Sequence, residues 1–373
     1  MTELQILQKL ISIDSQVTKS NKEIVDFIVS LFPREICKVT PLKKGDLDLF
    51  NLEIKFKGEK STKPIVFSGH TDTVPTSSKW TRNPFDPEVV DGNVFGLGTS
   101  DMKAGVACMI KLALSLVGNK QKQDVVFLFD ADEEGAGTGG KNFIENVMID
   151  PGSAKVIICE PSSGILQIGQ KGALEFKVTF FGKALHSSIT SFDKNLQFNA
   201  IHKTLQGLKA LEEYEKKLEL KKDKLFKSPT QAICMIEGGT AANVIPDECS
   251  FTINRRLIPS EMLETVIEET TSILKKVDPE VKVEVFFSGA PNKLDEESEL
   301  FQQSKFICEE VFGEAITSVT SGWTQAGLFN KWGDALIWGP GKLEMCHQAD
   351  EFCPVEDLEK MTECYSKLVE LNN

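Results

Sequence analysis

Two of the four histidines in this chain stand where they invite metal chemistry. His70 precedes Asp72 in Ser68-Gly-His-Thr-Asp-Thr-Val-Pro75. Residues two apart in an extended segment point the same way. A carboxylate placed so can hold one imidazole nitrogen and leave the other free for a metal. His347 lies in Met345-Cys-His-Gln-Ala-Asp-Glu351, and between the two histidines come Asp101, the run Asp130-Ala-Asp-Glu-Glu-Gly135, and Glu160-Pro161. Any one of these alone reads as a solvated turn or a helix cap. Together they offer two imidazoles and at least three carboxylates with no cysteine cluster, a donor set for Zn²⁺ or a neighbouring divalent ion such as Co or Mn. One zinc needs fewer donors, whereas two metals sharing a carboxylate fit the number. In the adjacent pair Glu133-Glu134 one side chain can bind metal while the other takes a proton from a metal-bound water. Zinc brings the pKa of that water toward ~7, so metal-assisted hydrolysis is the reaction class.

The elements that must carry these residues are legible as apolar runs. Strands are expected at 64–68, 125–129, 156–159 and 335–338, and each runs into one of the chemical residues. Helices are expected at about 102–116, with Asp101 as N-cap, and at 140–147. Strands alternating with helices predict an α/β fold with a mostly parallel sheet flanked by helices, whose ligand sites lie beyond the carboxyl ends of the strands. Residues 3–32 carry helical periodicity with a break at 15–21. After residue 172 the rhythm changes to strand 174–181, helix 195–220, strands 231–237 and 249–256, helix 260–276 and strand 281–287. That β-α-β-β-α-β series is ferredoxin-like, an α+β domain inserted into the first. The expected division is 1–172 and 288–373 for the metal-binding domain and 173–287 for the insert.

Composition bounds the partners. At 373 residues two domains are the default. Forty-two basic against 55 acidic residues argue against nucleic acid or an anionic membrane as partner. No apolar run approaches ~18 residues and the amino terminus lacks a signal-like pattern, so a cytoplasmic protein is expected. Nine cysteines without a paired pattern suit a reducing compartment, with Cys346 and Cys353 read as buried thiols. The mixed-charge run 212–224 reads as a solvated helix face.

The motifs named above, with Trp80, Pro84-Phe-Asp-Pro87, Gly96-Leu-Gly, Ser100-Asp-Met-Lys-Ala-Gly105, Glu160-Pro-Ser162, Gly182 to His186-Ser-Ser188 and Gly238-Gly-Thr to Asn243, span nearly the whole chain. In this order they resemble the dinuclear zinc deacylases and exopeptidases that include acetylornithine deacetylase and succinyl-diaminopimelate desuccinylase. The resemblance implies a zinc-peptidase-like fold with two zinc ions per subunit. It implies His70 and Glu160 on one metal, Glu134 and His347 on the other, Asp101 as the bridge, Glu133 as general base and Asp72 orienting His70. It also implies a cis Asp101–Met102 peptide. Through the inserted lid domain it implies a homodimer in which His186 donates to the oxyanion across the interface, and it marks Asn243, Arg256 and Thr324 as substrate-binding.

The implied activity is hydrolysis of an N-acyl amino acid, as by an acetylornithine deacetylase. The alternatives are a succinyl-diaminopimelate desuccinylase, a dipeptidase or carboxypeptidase on the same scaffold, and a binding protein without catalysis; the complete set of ligands and base counts against the last. Ser321-Gly-Trp-Thr-Gln-Ala-Gly327 departs from the desuccinylases, which carry an Arg there. Gln325 also replaces the acid that, in acetylornithine-type enzymes, could attract a cationic side chain.

Overall fold

The computed structural model describes residues 1–60 and 63–373. The chain divides into two compact units, one made of Met1–Gly169, Lys293–Ser318 and Thr324–Asn373, the other of Gln170–Asn292 and Val319–Trp323.

The first unit opens with helices α1 (Glu3–Ile11) and α2 (Lys22–Ser30), separated at the expected break. Strands β1 (Cys37–Lys44), β2 (Leu47–Phe56) and β3 (Ile65–His70) follow, then a ribbon of β4 (Glu88–Val90) and β5 (Asn93–Phe95). Helix α3 (Ala104–Leu116), strand β6 (Val125–Asp130), helix α4 (Thr138–Asn146) and strands β7 (Ala154–Ile158) and β8 (Leu166–Gln170) complete this part.

The second unit contributes β9 (Gly172–Phe181), β10 (Leu185–His186), helices α5 (Phe192–Phe198) and α6 (Ala200–Leu218), β11 (Thr230–Gly238), β12 (Val244–Ile245), β13 (Glu248–Leu257), helix α7 (Leu263–Val277) and β14 (Lys282–Gly289). After β15 (Asn292–Lys293) come α8 (Glu299–Phe312), β16 (Thr317–Thr320), α9 (Ala326–Phe329), β17 (Gly333–Ile337), β18 (Phe352–Pro354) and α10 (Val355–Leu371).

The large sheet runs β1-β2-β6-β3-β7-β17-β8-β15. Its centre, β6-β3-β7-β17, is parallel, and antiparallel strands extend it toward both edges. Every residue of β3, β6 and β7 is buried, as expected of parallel strands covered on both faces. On one face Val66, Val126, Leu128, Val156, Ile158 and Ile337 pack against Phe143 and Phe329. On the other, Phe67 stacks on Phe127 at 5.3 Å and meets Tyr365 of α10 at 5.2 Å. Each such fully buried aromatic stabilises the fold by about 1.5–3 kcal/mol. The chain leaves β3 for β6 on one side of it and leaves β7 for β8 on the opposite side, beyond β17. The carboxyl ends of β3 and β7 therefore form a topological switch point, where open α/β sheets bind ligands.

The second unit holds a four-stranded antiparallel sheet in the order β11-β13-β9-β14. Its core gathers Leu174, Phe176, Val178, Phe180, Phe251 and Ile253 with Leu211 of α6 and Leu274 of α7.

Two sequence expectations are corrected, and one strand is added. The single helix over 195–220 is two, because the Asn199 side chain accepts the N–H groups of Ile201 and His202 (3.0 and 3.3 Å) and restarts the helix there. The helix after Asp101 begins only at Ala104; Asp101 lies in an irregular turn at φ −115°, ψ 92° and caps nothing. Strand β1 was not expected, and it is a largely exposed edge strand without a clean alternation of apolar residues.

Candidate metal centre

The turn between α3 and the preceding glycines, the ends of β3, β6 and β7, and the loop leading into β18 bring five of the expected side chains together. His70 is the last residue of β3, and Glu160 follows β7, its parallel neighbour. Two glycines keep the backbone at Glu160 tightly packed. A Cβ on Gly105 of α3 would lie 2.1 Å from the Cys159 carbonyl oxygen, and one on Gly339 would lie 2.5 Å from that of Glu160. The Asp101–Met102 peptide is cis, as the resemblance implied.

The donor atoms form two groups that share one residue: His70, Asp101 and Glu160, and Asp101, Glu134 and His347. Asp101 presents a different oxygen to each histidine. Its Oδ1 lies 3.1 Å from His70 Nε2 and its Oδ2 lies 3.4 Å from His347 Nε2. Glu160 Oε1 is 3.6 Å from His70 Nε2, and Glu134 Oε1 is 2.9 Å from His347 Nε2. Glu133 stays outside both groups, although its neighbour Glu134 enters one.

Asp72 acts differently from the expectation. It is the backbone carbonyl of Asp72 that accepts from His70 Nδ1, at 2.9 Å, and this directs Nε2 toward Asp101. The Asp72 carboxylate stands farther off, at 3.6 Å, and accepts instead the backbone N–H groups of Glu133 (3.2 Å) and Glu134 (3.0 Å). Asp132 holds the same acidic turn from the other side. It accepts from the Thr138 hydroxyl (2.7 Å) and the Ala136 N–H (3.2 Å), and Lys44 lies 2.6 Å away.

The electrostatics describe a site with too much negative charge of its own. Burial, with the charges around it, pushes Glu160 up to about 8 and Glu133 well above the ordinary carboxylate range. Burial would lower the His70 pKa, but Glu160, Asp101 and Asp72 outweigh it and raise the value well above normal. Hydrogen bonds to Asp101 and Glu134 raise His347 to about 10. The cluster thus holds protons where a cation would otherwise stand, and dications displace such protons. The nitrogen-to-oxygen spacings of 2.9–3.6 Å also bracket the ~3.3 Å edge of a tetrahedron built on ~2.0–2.1 Å metal–ligand bonds. On donor type, charge and spacing, these residues fit divalent metal.

The remaining expected residues are described by their own surroundings. His186 is exposed on β10, its Nδ1 2.7 Å from Ser188 Oγ. Asn243 is beside it, since β10 pairs with β12 and Ser187 N–H donates to the Asn243 carbonyl at 2.9 Å. Arg256 lies on β13 with its Nε donating to Asn254 Oδ1 at 3.1 Å, and burial lowers its pKa. These three belong to the second unit. Thr324, in the first unit, accepts the Ala326 N–H at 3.2 Å through its hydroxyl, at the start of α9.

Gln325 does not stand where a substrate charge would be read. It is 2% exposed, accepts from Ser68 Oγ at 2.8 Å and donates to Asp130. The amide ties the end of β6 to α9, and an acid there would face the Asp130 carboxylate. Sequence reasoning missed this network, and missed Glu351, whose carboxylate accepts three backbone N–H groups around Asp101. The signal for Glu351 was present, four residues past His347, but nothing in the sequence said what it would hold.

Comparison with known proteins agrees with this fold. The chain is 27% identical over 365 residues to an acetylornithine deacetylase of Buchnera aphidicola, covering 96% of this chain and 93% of that one. It is 29% identical over 321 residues to a succinyl-diaminopimelate desuccinylase of Marinobacter nauticus, covering 82% and 83%. Among solved structures it superposes on a metallo-carboxypeptidase of the M20 family from Sulfolobus solfataricus with a TM-score of 0.79, at 18% identity over 99% of each chain. A dinuclear metal-binding peptidase of the same family from Bacillus subtilis gives 0.68 at 14% identity, covering 99% and 97%. The family model for peptidase family M20/M25/M40 matches residues 66–371. With that match across the segments that carry the clustered histidines and carboxylates, the chain belongs to peptidase family M20/M25/M40 and is a metal-dependent hydrolase of amide bonds.

Proposed function

We propose that this protein removes an acyl group from an N-acyl amino acid, in the manner of an acetylornithine deacetylase, with two zinc ions per subunit. The observation that carries the two-metal part is the division of Asp101, one oxygen toward His70 and the other toward His347. His70 and Glu160 would hold one ion, Glu134 and His347 the other, and Asp101 both. When bound, such ions supply Lewis acidity, easing loss of a proton from water and stabilising negative charge on a carbonyl oxygen. Glu133, next to a ligand yet outside both groups, takes the proton from the attacking water and returns it to the leaving nitrogen. The Asp72 carboxylate fixes the backbone that aims it.

His186, exposed beside Asn243, would donate to the carbonyl oxygen as negative charge develops there, acting from a second copy of the chain. Asn243, Arg256 and Thr324 would hold the substrate's carboxylate, for which the guanidinium fork of Arg256 is suited. The curated relatives named above favour the deacylase reading. Nine free cysteines fit a reducing, cytoplasmic setting, and no helix among the described residues is long and apolar enough to cross a membrane.

The test is a hydrolysis screen of metal-reconstituted protein against N-acetylornithine, other N-acyl amino acids, N-succinyl-diaminopimelate and dipeptides, with and without chelator. Chelator-sensitive release of acetate from N-acetyl amino acids is the expected result. Turnover of dipeptides alone would replace this reading with a peptidase.

A further inference from the structure

The Asp101 turn is held from behind by a residue that no part of the reaction yet uses. Glu351 is 1% exposed and faces backbone rather than solvent. Its Oε1 accepts the N–H groups of Ser100 (2.7 Å) and Asp101 (2.8 Å), and its Oε2 accepts that of Gly98 (2.8 Å). Its own carbonyl accepts the Gly96 N–H at 3.0 Å. A carboxylate receiving three N–H groups in a buried setting is held far more rigidly than a surface one. Four residues earlier in the same loop stands His347 at φ +61°, a left-handed backbone that a non-glycine residue keeps only when its surroundings enforce it. Asp350 pins the loop further by accepting the N–H groups of Thr81 (3.0 Å) and Arg82 (3.1 Å).

We propose that Glu351 is a positioning residue for the metal pair, setting the Asp101 backbone so that one carboxylate reaches both donor groups and fixing His347 relative to it. The proposal rests on the reading of Asp101 as the shared ligand. Asp101 approaches the two histidines at 3.1 and 3.4 Å through different oxygens, so a small rotation of its turn disturbs at least one of the two approaches. Loss of the Glu351 clamp should therefore weaken metal binding as well as turnover. A glutamine keeps the size of Glu351 but sets an NH₂ group against at least one of the three donors.

The experiment titrates metal-free full-length wild type, Glu351→Gln, Glu351→Asp and Asp101→Ala with Co²⁺, following heat and the visible absorption of the bound ion. Thermal melts of the metal-free proteins report folding. For a folded Glu351→Gln the expected result is Co²⁺ affinity lower by about 10–100-fold and an altered absorption spectrum. Its kcat should fall by a similar factor while KM stays within about threefold. Glu351→Asp, which keeps the charge but is one methylene shorter, should alter the spectrum in the same direction and serves in place of the glutamine variant if that one does not fold. Wild-type affinity and spectrum in a folded Glu351 variant would overturn the positioning role alone. Wild-type Co²⁺ binding by Asp101→Ala would overturn the shared-ligand reading beneath it.

Discussion

Glu133 and Glu134 are chemically alike and adjacent in the chain, yet they sit in different relations to the histidines. Glu134 reaches to 2.9 Å from His347 Nε2, while Glu133 joins neither donor group. Both backbones hang on the Asp72 carboxylate, so in the proposed mechanism the turn would present one side chain to the metal and leave the other for proton transfer. Burial, first of all, holds the Glu133 pKa well above the usual carboxylate range while no cation is bound. Positive charge delivered by metal would reverse that and make it a base. Glu133→Gln should therefore bind two metal ions by calorimetry as the wild type does, with kcat lower by roughly 10²–10⁴-fold. Full turnover in a metal-loaded Glu133→Gln protein would assign the base elsewhere.

Between elements, the side chains that matter are those joining strand ends to the helices behind them. Asp130 closes β6, fully buried, and burial pushes it up to about 7. It accepts the Asp132 N–H at 3.0 Å and the Gln325 amide of the segment leading into α9. Because the folded pKa is raised above the unfolded value near 3.8, the folded state binds more protons. Stability is present below the unfolded pKa and is lost as pH rises through the folded one, a window from about 4 to about 7. Asp130→Asn removes that dependence: the metal-free variant should gain on the order of 2 kcal/mol over wild type between pH 5 and pH 8 in denaturant melts. Gln325→Glu sets a second carboxylate against the first and should steepen the loss. Equal pH slopes in all three proteins would show that Asp130 does not titrate in this window.

Such pairs also mark where sequence reading stops. The buried runs of β3, β6 and β7 and the residues at their ends were legible because periodicity and burial are local properties. The role of Gln325 was not, because it is fixed by Ser68 and Asp130, each distant in the chain. Asp72 was half legible: the spacing placed it beside His70, but which of its oxygens faces the ring depends on where the 133–134 turn comes to lie.

At the scale of the molecule, the second unit has an apolar edge exposed among the described residues. In the second unit β11 is an edge strand, and its Met235 and Ile236 are each 58% exposed, with Ile201 and Leu205 of neighbouring α6 at 42% and 47%. An apolar edge strand is a template for pairing with another chain, and a specific interface covers about 800 Å² per partner. These features support a homodimer, with a particle of twice 41.3 kDa expected by light scattering and dissociation expected for Met235→Lys. A two-fold dimer in which His186 serves the partner's site allows a sharper test, because two inactive proteins can then complement each other. In a mixed dimer of His186→Ala with Glu133→Gln, one site takes its intact Glu133 from the first chain and its intact His186 from the second. The other site carries both lesions. Random exchange makes half the dimers mixed, so an equimolar mixture should recover about a quarter of wild-type activity. If His186 serves its own chain, every site keeps one lesion and mixing recovers nothing. An active monomer at micromolar concentration would remove the second copy from the mechanism altogether.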